Sequence, residues 1–205
     1  FYKLYKNLFD FLFSIFFLIA SLPFFLIISI LIKLSSRGPI FFFQERIGKN
    51  NIPFKCIKFR TMHPEAKDIL ENLLMKDEKL KMEFDQNHKI QNDPRITTIG
   101  KLLRKTSLDE LPQFINVLRN EMSIVGPRPI VNKEKKKYGK NLQKVLSVRP
   151  GITGLWQVSG RNNLTYKTRI RLDLNYIENF SFLMDIRILI RTIGVILFPL
   201  DRGAY

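Results

Sequence analysis

The sequence predicts an α+β protein, with a mainly helical domain, a small β-hairpin, an N-terminal re-entrant membrane helix and interfacial amphipathic helices. Three observations lead to this fold class. An uncharged apolar run extends from Phe11 to Ile32. Two β-prone segments then flank a turn-forming stretch at Gly48–Asn51. Most of the remaining chain consists of charged or amphipathic segments of helical length.

The apolar run, about 22 residues long, has the length that crosses a lipid bilayer. It lacks the short apolar core and small-residue cleavage site of a signal peptide, so we expect it to be retained. Pro23 lies near its middle and removes a helix hydrogen bond there. Basic residues flank both ends (Lys3, Lys6, Lys33 and Arg37), whereas a spanning helix usually has its positive charge on one side. Two interpretations stay open: one spanning helix, or a re-entrant segment that bends at Pro23 and leaves both ends in the cytoplasm. We assign residues 1–37 to this anchor and residues 38–205 to the domain.

The composition indicates an anionic partner. Lys and Arg total 34 against 18 Asp and Glu, which gives a formal net charge of +16 over 205 residues. Such an excess fits nucleic acid, an acidic membrane surface or a phosphorylated substrate. Cys56 is the single cysteine, and His63 and His88 have no Cys or His at ligand spacing. Neither an intrachain disulfide nor a zinc site is therefore expected. The start at Phe1 is compatible with a piece of a longer protein.

The rest of the chain alternates between predicted helices and turns. Residues 40–46 and 54–61 are predicted to form the hairpin. Two prolines make the segment Val125–Pro129 a stiff loop. Residues 182–197 are apolar but carry three charges, which favours a helix lying at the membrane interface. The other predicted helices cover residues 64–88, 99–105, 107–118, 133–144 and 166–178.

An acidic pair, Asp109–Glu110, follows Ser107 within a basic stretch. One interpretation is a capping box, in which Ser107 caps a helix and the Glu110 side chain returns to its backbone. Asp109 would then only complement the helix dipole. The other interpretation is a functional pair beside Arg104 and Lys105, where a carboxylate stays ionised, attacks phosphorus and shares a divalent metal with its neighbour. The two are compatible, because a cap can hold a nucleophile in place.

Five arginines stand beside Pro, Gly or a predicted helix end: Arg95, Arg104, Arg128, Arg149 and Arg161. Arginine binds phosphate through a planar fork, although a scattered arginine is more often a solvated surface residue. Arg128 is the strongest candidate, because prolines restrict the backbone on both sides of it. Weaker signals are the segment Gly151–Gly154, which could contact phosphate, and Trp156, which either stacks on a base or packs in the core.

Four motifs occur in one order along the chain: Lys58–Met62, Ser107–Gln113, Val125–Pro129 and Arg149–Gly154. Together they resemble the bacterial sugar transferases, the monotopic phosphoglycosyl transferases that start glycan assembly on polyprenol phosphate. The resemblance extends over nearly the whole chain. The ending Arg202–Tyr205 is similar to the branch of undecaprenyl-phosphate galactose or glucose phosphotransferases. That family usually has Ser before the mid-membrane proline, and Leu22 stands there in this chain, so the bend is expected to be held less firmly.

The resemblance implies a mechanism. Asp109 would attack the β-phosphate of a UDP-sugar, release UMP and keep the sugar-phosphate, which polyprenyl (undecaprenyl) phosphate would then take. Mg²⁺ would bind at Asp109, with Glu110 in support. The substrate phosphates would be held by Arg104, Arg128, Arg149 and Arg161.

The implied partners are a UDP-sugar, polyprenyl phosphate and the anionic lipids of the inner leaflet, with no nucleic acid and with a homo-oligomer left open. The implied location is the cytoplasmic face of the bacterial inner membrane, and the implied role is the first membrane step of surface polysaccharide assembly.

The main alternative function is that of a membrane-tethered basic protein that binds anionic lipid or nucleic acid without catalysis. It explains the charge and the anchor, but not the acidic pair or the proline-bounded loop. A polytopic sugar-phosphate transferase is disfavoured, because one apolar span cannot build a multi-helix site.

Overall fold

The structure, a computed structural model, describes residues 2–87, 90, 92–160 and 164–197, and its elements confirm the α+β class. The first half consists of helix α1 (Tyr2–Ser35), strands β1 (Phe41–Ile47) and β2 (Pro53–Phe59), and helices α2 (Ala66–Lys76), α3 (Glu78–Asn87), α4 (Thr98–Thr106) and α5 (Gln113–Leu118). The second half consists of β3 (Ser123–Val125), α6 (Lys135–Tyr138), α7 (Leu142–Val145), β4 (Gly151–Thr153), α8 (Leu155–Ser159), α9 (Tyr166–Asn179) and α10 (Phe182–Leu197).

The predicted hairpin is confirmed. Strands β1 and β2 are antiparallel, with a register that runs from Phe41 opposite Phe59 to Ile47 opposite Pro53. The turn between them holds Asn50 and Asn51 at φ angles of 55° and 65°. Asparagine tolerates this left-handed region better than most residues, which explains why the Lys-Asn-Asn sequence forms the turn.

A second, parallel pair of strands was not predicted. Residues 151–154 were expected to contact phosphate and not to form a strand, whereas β4 pairs with β3 through Ser123 opposite Gly151 and Val125 opposite Thr153. A Cβ atom on Gly151 would lie 2.1 Å from the backbone nitrogen of Gly126. Glycine is therefore required where β4 approaches the stiff segment, and the reason lies in a long-range contact that local patterning does not reveal.

Two segments that were each predicted as one helix form two helices in the structure. The segment 64–88 forms two helices, because Asp77 has extended backbone angles and its carboxylate accepts a hydrogen bond from Leu80 N at 3.0 Å, capping α3. None of the α2 residues is buried, as expected of a surface helix. The basic segment 133–144 is likewise divided into α6 and α7, since Gly139 has a φ of 50°.

Helix α1 packs against the domain along both of its halves. In the N-terminal half, the ring of Phe17 stacks on Phe114 of α5 with centroids 4.2 Å apart. In the C-terminal half, Ile28 and Ile32 are buried in a cluster with Phe59 of β2. Pro23 lies between these contacts, and the helix continues past it to Ser35.

Polar contacts fasten the N-terminal half of α1. The carboxylate of Asp10, 1% exposed, accepts hydrogen bonds from Ser123 Oγ at 2.7 Å, Ile124 N at 3.2 Å and Arg149 Nη2 at 3.0 Å. Lys6 forms an ion pair of 2.5 Å with Asp185 of α10. A buried carboxylate without such donors would be costly, so these bonds make Asp10 a stable part of the core.

The C-terminal end of α1 is fastened by one arginine. The guanidinium group of Arg60 donates to the carbonyl oxygens of Ser36 and Arg37, both at 2.8 Å. These contacts satisfy carbonyl groups at a helix end that would otherwise lack a partner. Arg60 belongs to the Lys58–Met62 motif, so part of that motif serves the anchor.

Within the described residues, α1 is the one helix long and apolar enough to cross a membrane, and most of its apolar window is not buried by the protein. Helix α10 also exposes apolar side chains, among them Leu183, Ile190 and Ile193. Its opposite side is buried at Asp185 and Ile188. The re-entrant path of α1, its division from the domain at residue 37 and the interfacial position of α10 stay predictions.

Candidate active site

The acidic pair lies in a single 3₁₀ turn, Leu108–Glu110, between α4 and α5. The predicted helix over 107–118 is wrong at its start, because Ser107 ends α4 with a φ of 58° and Pro112 precedes the first residue of α5. The Ser107 side chain makes no capping hydrogen bond, and the Glu110 side chain turns instead to Lys58, with Nζ and Oε1 2.6 Å apart. The capping-box interpretation is therefore wrong. The tight turn itself presents the two carboxylates.

Cations surround this turn. Lys58, at the end of β2, pairs with Glu110. Arg104, from the last turn of α4, is held by a 2.9 Å hydrogen bond from its Nε to Thr61 Oγ1. A long-range contact explains the position of Arg104, because α4 packs against Thr61, two residues after the end of β2. The turn thus combines two carboxylates with fixed positive charges.

Burial and these charges shift the pKa values of the two carboxyl groups in opposite directions. Burial, together with the charge of Glu110, raises the pKa of Asp109 to about 6, although Lys58 and Arg104 act in the opposite direction. Burial also opposes ionisation of Glu110, but the charge and hydrogen bond of Lys58 outweigh it and hold the pKa of Glu110 below its ordinary value. Near neutral pH, both groups are then mostly ionised, which suits a nucleophile and a metal ligand.

A cavity of about 480 Å³ opens beside the turn. The charged side chains in its lining are Glu110, Arg104 and Arg128. Apolar side chains in the lining come from three helices that the fold brings together: Phe13 and Phe17 of α1, Phe114 of α5, and Leu189, Ile193 and Ile196 of α10. A lining that combines charged and apolar side chains fits a ligand that carries both phosphate and hydrocarbon.

The backbone around Arg128 is held from several sides. Arg46 donates to Pro129 O at 2.9 Å, and Gly151 N donates to Pro127 O at 2.8 Å. The hydroxyl of Tyr176 donates to Val125 O at 3.1 Å. Beyond this rigid backbone, the guanidinium group lies over the ring of Trp156, with its carbon 5.7 Å from the ring centroid. The stiff loop predicted from the two prolines thus directs one arginine into the cavity.

The predicted site residues fall into three groups. Arg104, Arg128 and Glu110 line the cavity, and Asp109 stands next to Glu110. Arg149 does not line it; its guanidinium group donates to Asp10, Asn7 and Asn120. A phosphate-binding role for Arg149 stays a prediction without geometric support. Arg161 lies outside the described residues.

Two further candidates from the sequence, Arg95 and Trp156, have structural roles. Arg95 forms an ion pair of 2.6 Å with Asp93, and both are buried. Trp156 is 3% exposed, so it packs in the core as well as lining the cavity.

A second cavity, of about 710 Å³, lies between α6 and α9. Lys137, Tyr138 and Tyr166 are among its lining residues, and neither carboxylate of the acidic pair lines it.

Lys58 was not among the predicted site residues. Its signal was present, because Lys58 begins a motif that carries the resemblance, but nothing local distinguished it from the other lysines. Only the packing of β2 against the 3₁₀ turn brings its ammonium group to Glu110, 52 residues away.

The carboxylates of Asp109 and Glu110 are the ligands that a divalent metal would use at this site. The described residues contain no group of three or more His, Cys, Asp or Glu that could hold a metal ion by themselves. Magnesium commonly binds through one or two carboxylates and completes its shell with water and substrate phosphates. The donor set therefore fits Mg²⁺ bound together with a diphosphate substrate.

Comparison with known proteins decides the family. The family model described as bacterial sugar transferase matches residues 1–199. The chain belongs to the bacterial sugar transferase family. It is thus a transferase, and the expectation of a phosphoglycosyl transferase is confirmed.

Three relatives illustrate the family. The exopolysaccharide production protein ExoY of Sinorhizobium fredii is 46% identical over 200 residues, which cover 98% of this chain and 88% of the relative. The undecaprenyl-phosphate galactose phosphotransferase of Salmonella typhimurium is 44% identical over 193 residues, covering 94% of this chain and 40% of the relative. The UDP-galactose-lipid carrier transferase of Erwinia amylovora is 44% identical over 192 residues, with the same coverage. The chain thus spans most of the first relative and about two fifths of the other two.

Proposed function

We propose that the chain transfers a hexose-1-phosphate from a UDP-sugar to polyprenyl (undecaprenyl) phosphate, releases UMP and passes through a covalent aspartyl intermediate. The observation that carries the proposal is the cavity beside Asp109. The two arginines in its lining suit the diphosphate, and the apolar side chains in its lining suit the hydrocarbon of a lipid phosphate. The names of the Salmonella and Erwinia relatives describe a galactose phosphotransferase and a lipid carrier transferase, which agree with this chemistry.

In the first step, a carboxylate oxygen of Asp109 attacks the β-phosphorus of the UDP-sugar. The bond between that phosphorus and the bridging oxygen breaks, and UMP leaves with the oxygen. In the second step, a phosphate oxygen of the lipid attacks the same phosphorus, and Asp109 leaves as a free carboxylate. Two displacements in sequence make each step easier than one direct transfer between two anions.

The surrounding side chains hold and neutralise the phosphates. Arg104 and Arg128 provide planar forks at the cavity wall, and Lys58 keeps Glu110 ionised next to the nucleophile. Asp109 and Glu110 would hold a magnesium ion, which would supply further positive charge to the diphosphate. The charges of the site then match those that develop during phosphoryl transfer.

The packing of α1 supports a re-entrant anchor on the cytoplasmic face of the inner membrane. A straight helix of 34 residues is about 51 Å long, longer than the bilayer core. Both halves of α1, however, contact the same domain, through Phe17 on one side of Pro23 and through Ile32 on the other. A helix that crossed the bilayer would instead carry one of its halves away from a domain that lies on one face of the membrane. The site then lies at headgroup level, where the lipid phosphate is found.

Inner-leaflet anionic lipids are the further partners in this proposal, since a net charge of +16 attracts an anionic surface. Nucleic acid is not a proposed partner. A homo-oligomer stays a prediction. The rival function, a basic membrane protein without catalysis, accounts for the charge but leaves a buried nucleophile-like carboxylate beside a cationic cavity without a purpose.

The test is the half-reaction. Purified enzyme is incubated with a UDP-sugar, labelled UMP and Mg²⁺, without lipid, and the label in the UDP-sugar is measured across a panel of sugars. A double displacement predicts exchange with the correct sugar, because the first step is reversible. Asp109→Asn, which is nearly isosteric, should abolish it, and the matched control Asp68→Asn on the surface of α2 should not.

Trapped wild-type enzyme should carry the mass of the sugar-phosphate on the peptide that contains Asp109. Exchange that strictly requires polyprenyl phosphate would show a direct transfer, with Asp109 at most a metal ligand. No release of UMP from any UDP-sugar, with or without lipid, would favour the binding protein.

A further inference from the structure

The lining of the candidate cavity contains hydrogen-bonding side chains of two kinds. Arg104 and Arg128 are donors, and the proposed mechanism assigns both to phosphate. Three uncharged side chains in the lining have no part in that mechanism: Gln157 of α8, Thr153 of β4 and Thr192 of α10. The hydrogen bonds that these three already make determine what else they can bind.

Gln157 leaves one hydrogen-bonding atom without a partner. Its Nε2 donates to the carbonyl oxygen of Ile152 at 2.9 Å, and this bond determines which end of the amide is the nitrogen. Its Oε1 is buried and has no hydrogen-bond partner among the residues that the structure describes. A buried amide oxygen without a donor costs stability, and most such atoms in proteins are paired. A donor on a bound ligand is the partner that this oxygen lacks.

The two threonines have already used their hydroxyl hydrogens. Thr192 Oγ1 donates to the carbonyl oxygen of Ile188 at 2.8 Å. The 2.7 Å hydrogen bond between the hydroxyls of Thr153 and Thr192 then takes its hydrogen from Thr153, because each hydroxyl carries one. Lone pairs remain on both oxygens. The threonines therefore add acceptors to the one that Gln157 offers.

Acceptors of this kind select a ligand that carries donors. An ionised phosphate carries none, so it pairs with the arginines and not with Gln157 Oε1. The hydrocarbon of the lipid carries none either. The hydroxyl groups of a hexose are donors. In a UDP-hexose, the sugar is bonded through one oxygen to the phosphorus that Asp109 attacks, so it must lie close to the acidic pair, of which Glu110 lines the same cavity.

We propose that Gln157 is a specificity-determining residue, whose Oε1 accepts a hydrogen bond from a hydroxyl group of the hexose. The unpartnered oxygen of a side chain that lines the cavity is the observation that carries the proposal. It rests on the proposed function, which brings a UDP-hexose to this cavity. A buried acceptor discriminates between sugars, because a sugar without the matching hydroxyl leaves it unpaired.

A cycle that combines a protein variant with substrate variants tests this inference. Gln157→Met keeps the length of the side chain but removes the amide. Wild type and variant are assayed for kcat/KM of UMP release, with polyprenyl phosphate as acceptor, on the preferred UDP-hexose and on analogues that each lack one hydroxyl group of the hexose. We expect one analogue to lose about tenfold in the wild type. The same analogue should lose less than about twofold in Gln157→Met, because the hydroxyl and the amide belong to one contact.

Binding of UDP, which has no hexose, separates the sugar from the nucleotide. Titration calorimetry should give UDP affinities for wild type and Gln157→Met that agree within about twofold. Gln143→Met, at an exposed position of α7, is the matched control and should respond to every analogue as the wild type does. Thermal unfolding establishes that each variant is folded, and Gln157→Leu, which also lacks the amide, replaces Gln157→Met if that variant is not.

Several results would overturn the inference. If every analogue loses the same factor in wild type and variant, or if none loses activity in the wild type, Gln157 does not bind a hydroxyl of the hexose. A lower UDP affinity in Gln157→Met, without coupling to any analogue, would assign Gln157 to the nucleotide instead. In each of these cases UMP release by the wild type leaves the proposed function intact. If the wild type releases no UMP from any UDP-sugar, the proposed function fails and this inference fails with it.

Discussion

At the scale of single residues, the site depends on charges that are held in fixed positions. The pKa of Asp109 rises to about 6 through burial, while Lys58 and Arg104 limit the rise, so the carboxylate is available near neutral pH. Glu110 keeps its charge because Lys58 pairs with it at 2.6 Å. Neighbouring carboxylates with different surroundings commonly take different parts in a reaction. The assignment of attack to Asp109 and of support to Glu110 follows this pattern.

The form of the Arg128 side chain matters as much as its charge. Arg128→Lys keeps the charge but loses the planar fork. We expect a loss of about 1.5–3 kcal/mol, the range for a hydrogen bond to a charged group, or roughly ten- to 150-fold in kcat/KM for UMP release. Arg119→Lys, at an exposed position that ends α5, is the matched control and should retain wild-type turnover. Near wild-type turnover in Arg128→Lys would remove Arg128 from the site.

At the scale of elements, close backbone contact decides where the site residues stand. Helix α4 carries Arg104 and approaches the end of β2, where Thr61 accepts a hydrogen bond from Arg104 Nε. The approach occurs at Gly100, where a Cβ atom would lie 2.0 Å from the carbonyl oxygen of Thr61. Because the contact is with backbone, no side-chain rotation can relieve it.

Gly100→Ala therefore provides a test of this contact. Alanine normally favours a helix by about 1 kcal/mol over glycine, but here we expect a net destabilisation of about 1–3 kcal/mol from overpacking. Activity should fall as well, because α4 carries Arg104. The control is Gly194→Ala in α10, where the added Cβ would meet no described residue within 4 Å beyond the neighbouring backbone of its own helix. Thermal unfolding of both variants measures the difference; equal midpoints would show that α4 can move away without cost.

At the scale of the whole molecule, the anchor and the domain form one packed unit. Asp10 and Lys6 tie the start of α1 to β3 and α10, and Arg60 ties its end to β2. The cavity walls include Phe13 and Phe17 of α1, so the anchor also forms part of the candidate site. The shape of the cavity therefore depends on how α1 packs against the domain.

The same arrangement predicts the membrane topology. Cysteines introduced at Lys3 and Ser36 should react equally with a membrane-impermeant thiol reagent, and only after the inner face of the membrane is exposed. The native Cys56 is 1% exposed and serves as the background control in the unmodified chain. Labelling of the two positions from opposite sides would establish a spanning helix instead.

The sequence by itself determined the long apolar helix, the hairpin, the stiff loop and the presence of the acidic pair. The length of the apolar run predicted α1, and the alternation of apolar and polar residues around a turn predicted the hairpin. The two prolines predicted the stiff loop around Arg128. Each of these features depends on residues that are neighbours in the sequence. Four motifs in a fixed order also sufficed for the family.

Only the tertiary structure decided which charged groups meet. Lys58 reaches Glu110 across 52 residues, and Arg149 turns to Asp10 across 139, so the first joins the site and the second serves the anchor. Ser107 and Glu110 have the spacing of a capping box, yet the left-handed backbone at Ser107 and the pull of Lys58 prevent it. The sequence does not distinguish Asp173 from other polar helix residues, and only the packing of α9 buries it. These outcomes depend on contacts between distant segments, whose energies local patterns do not contain.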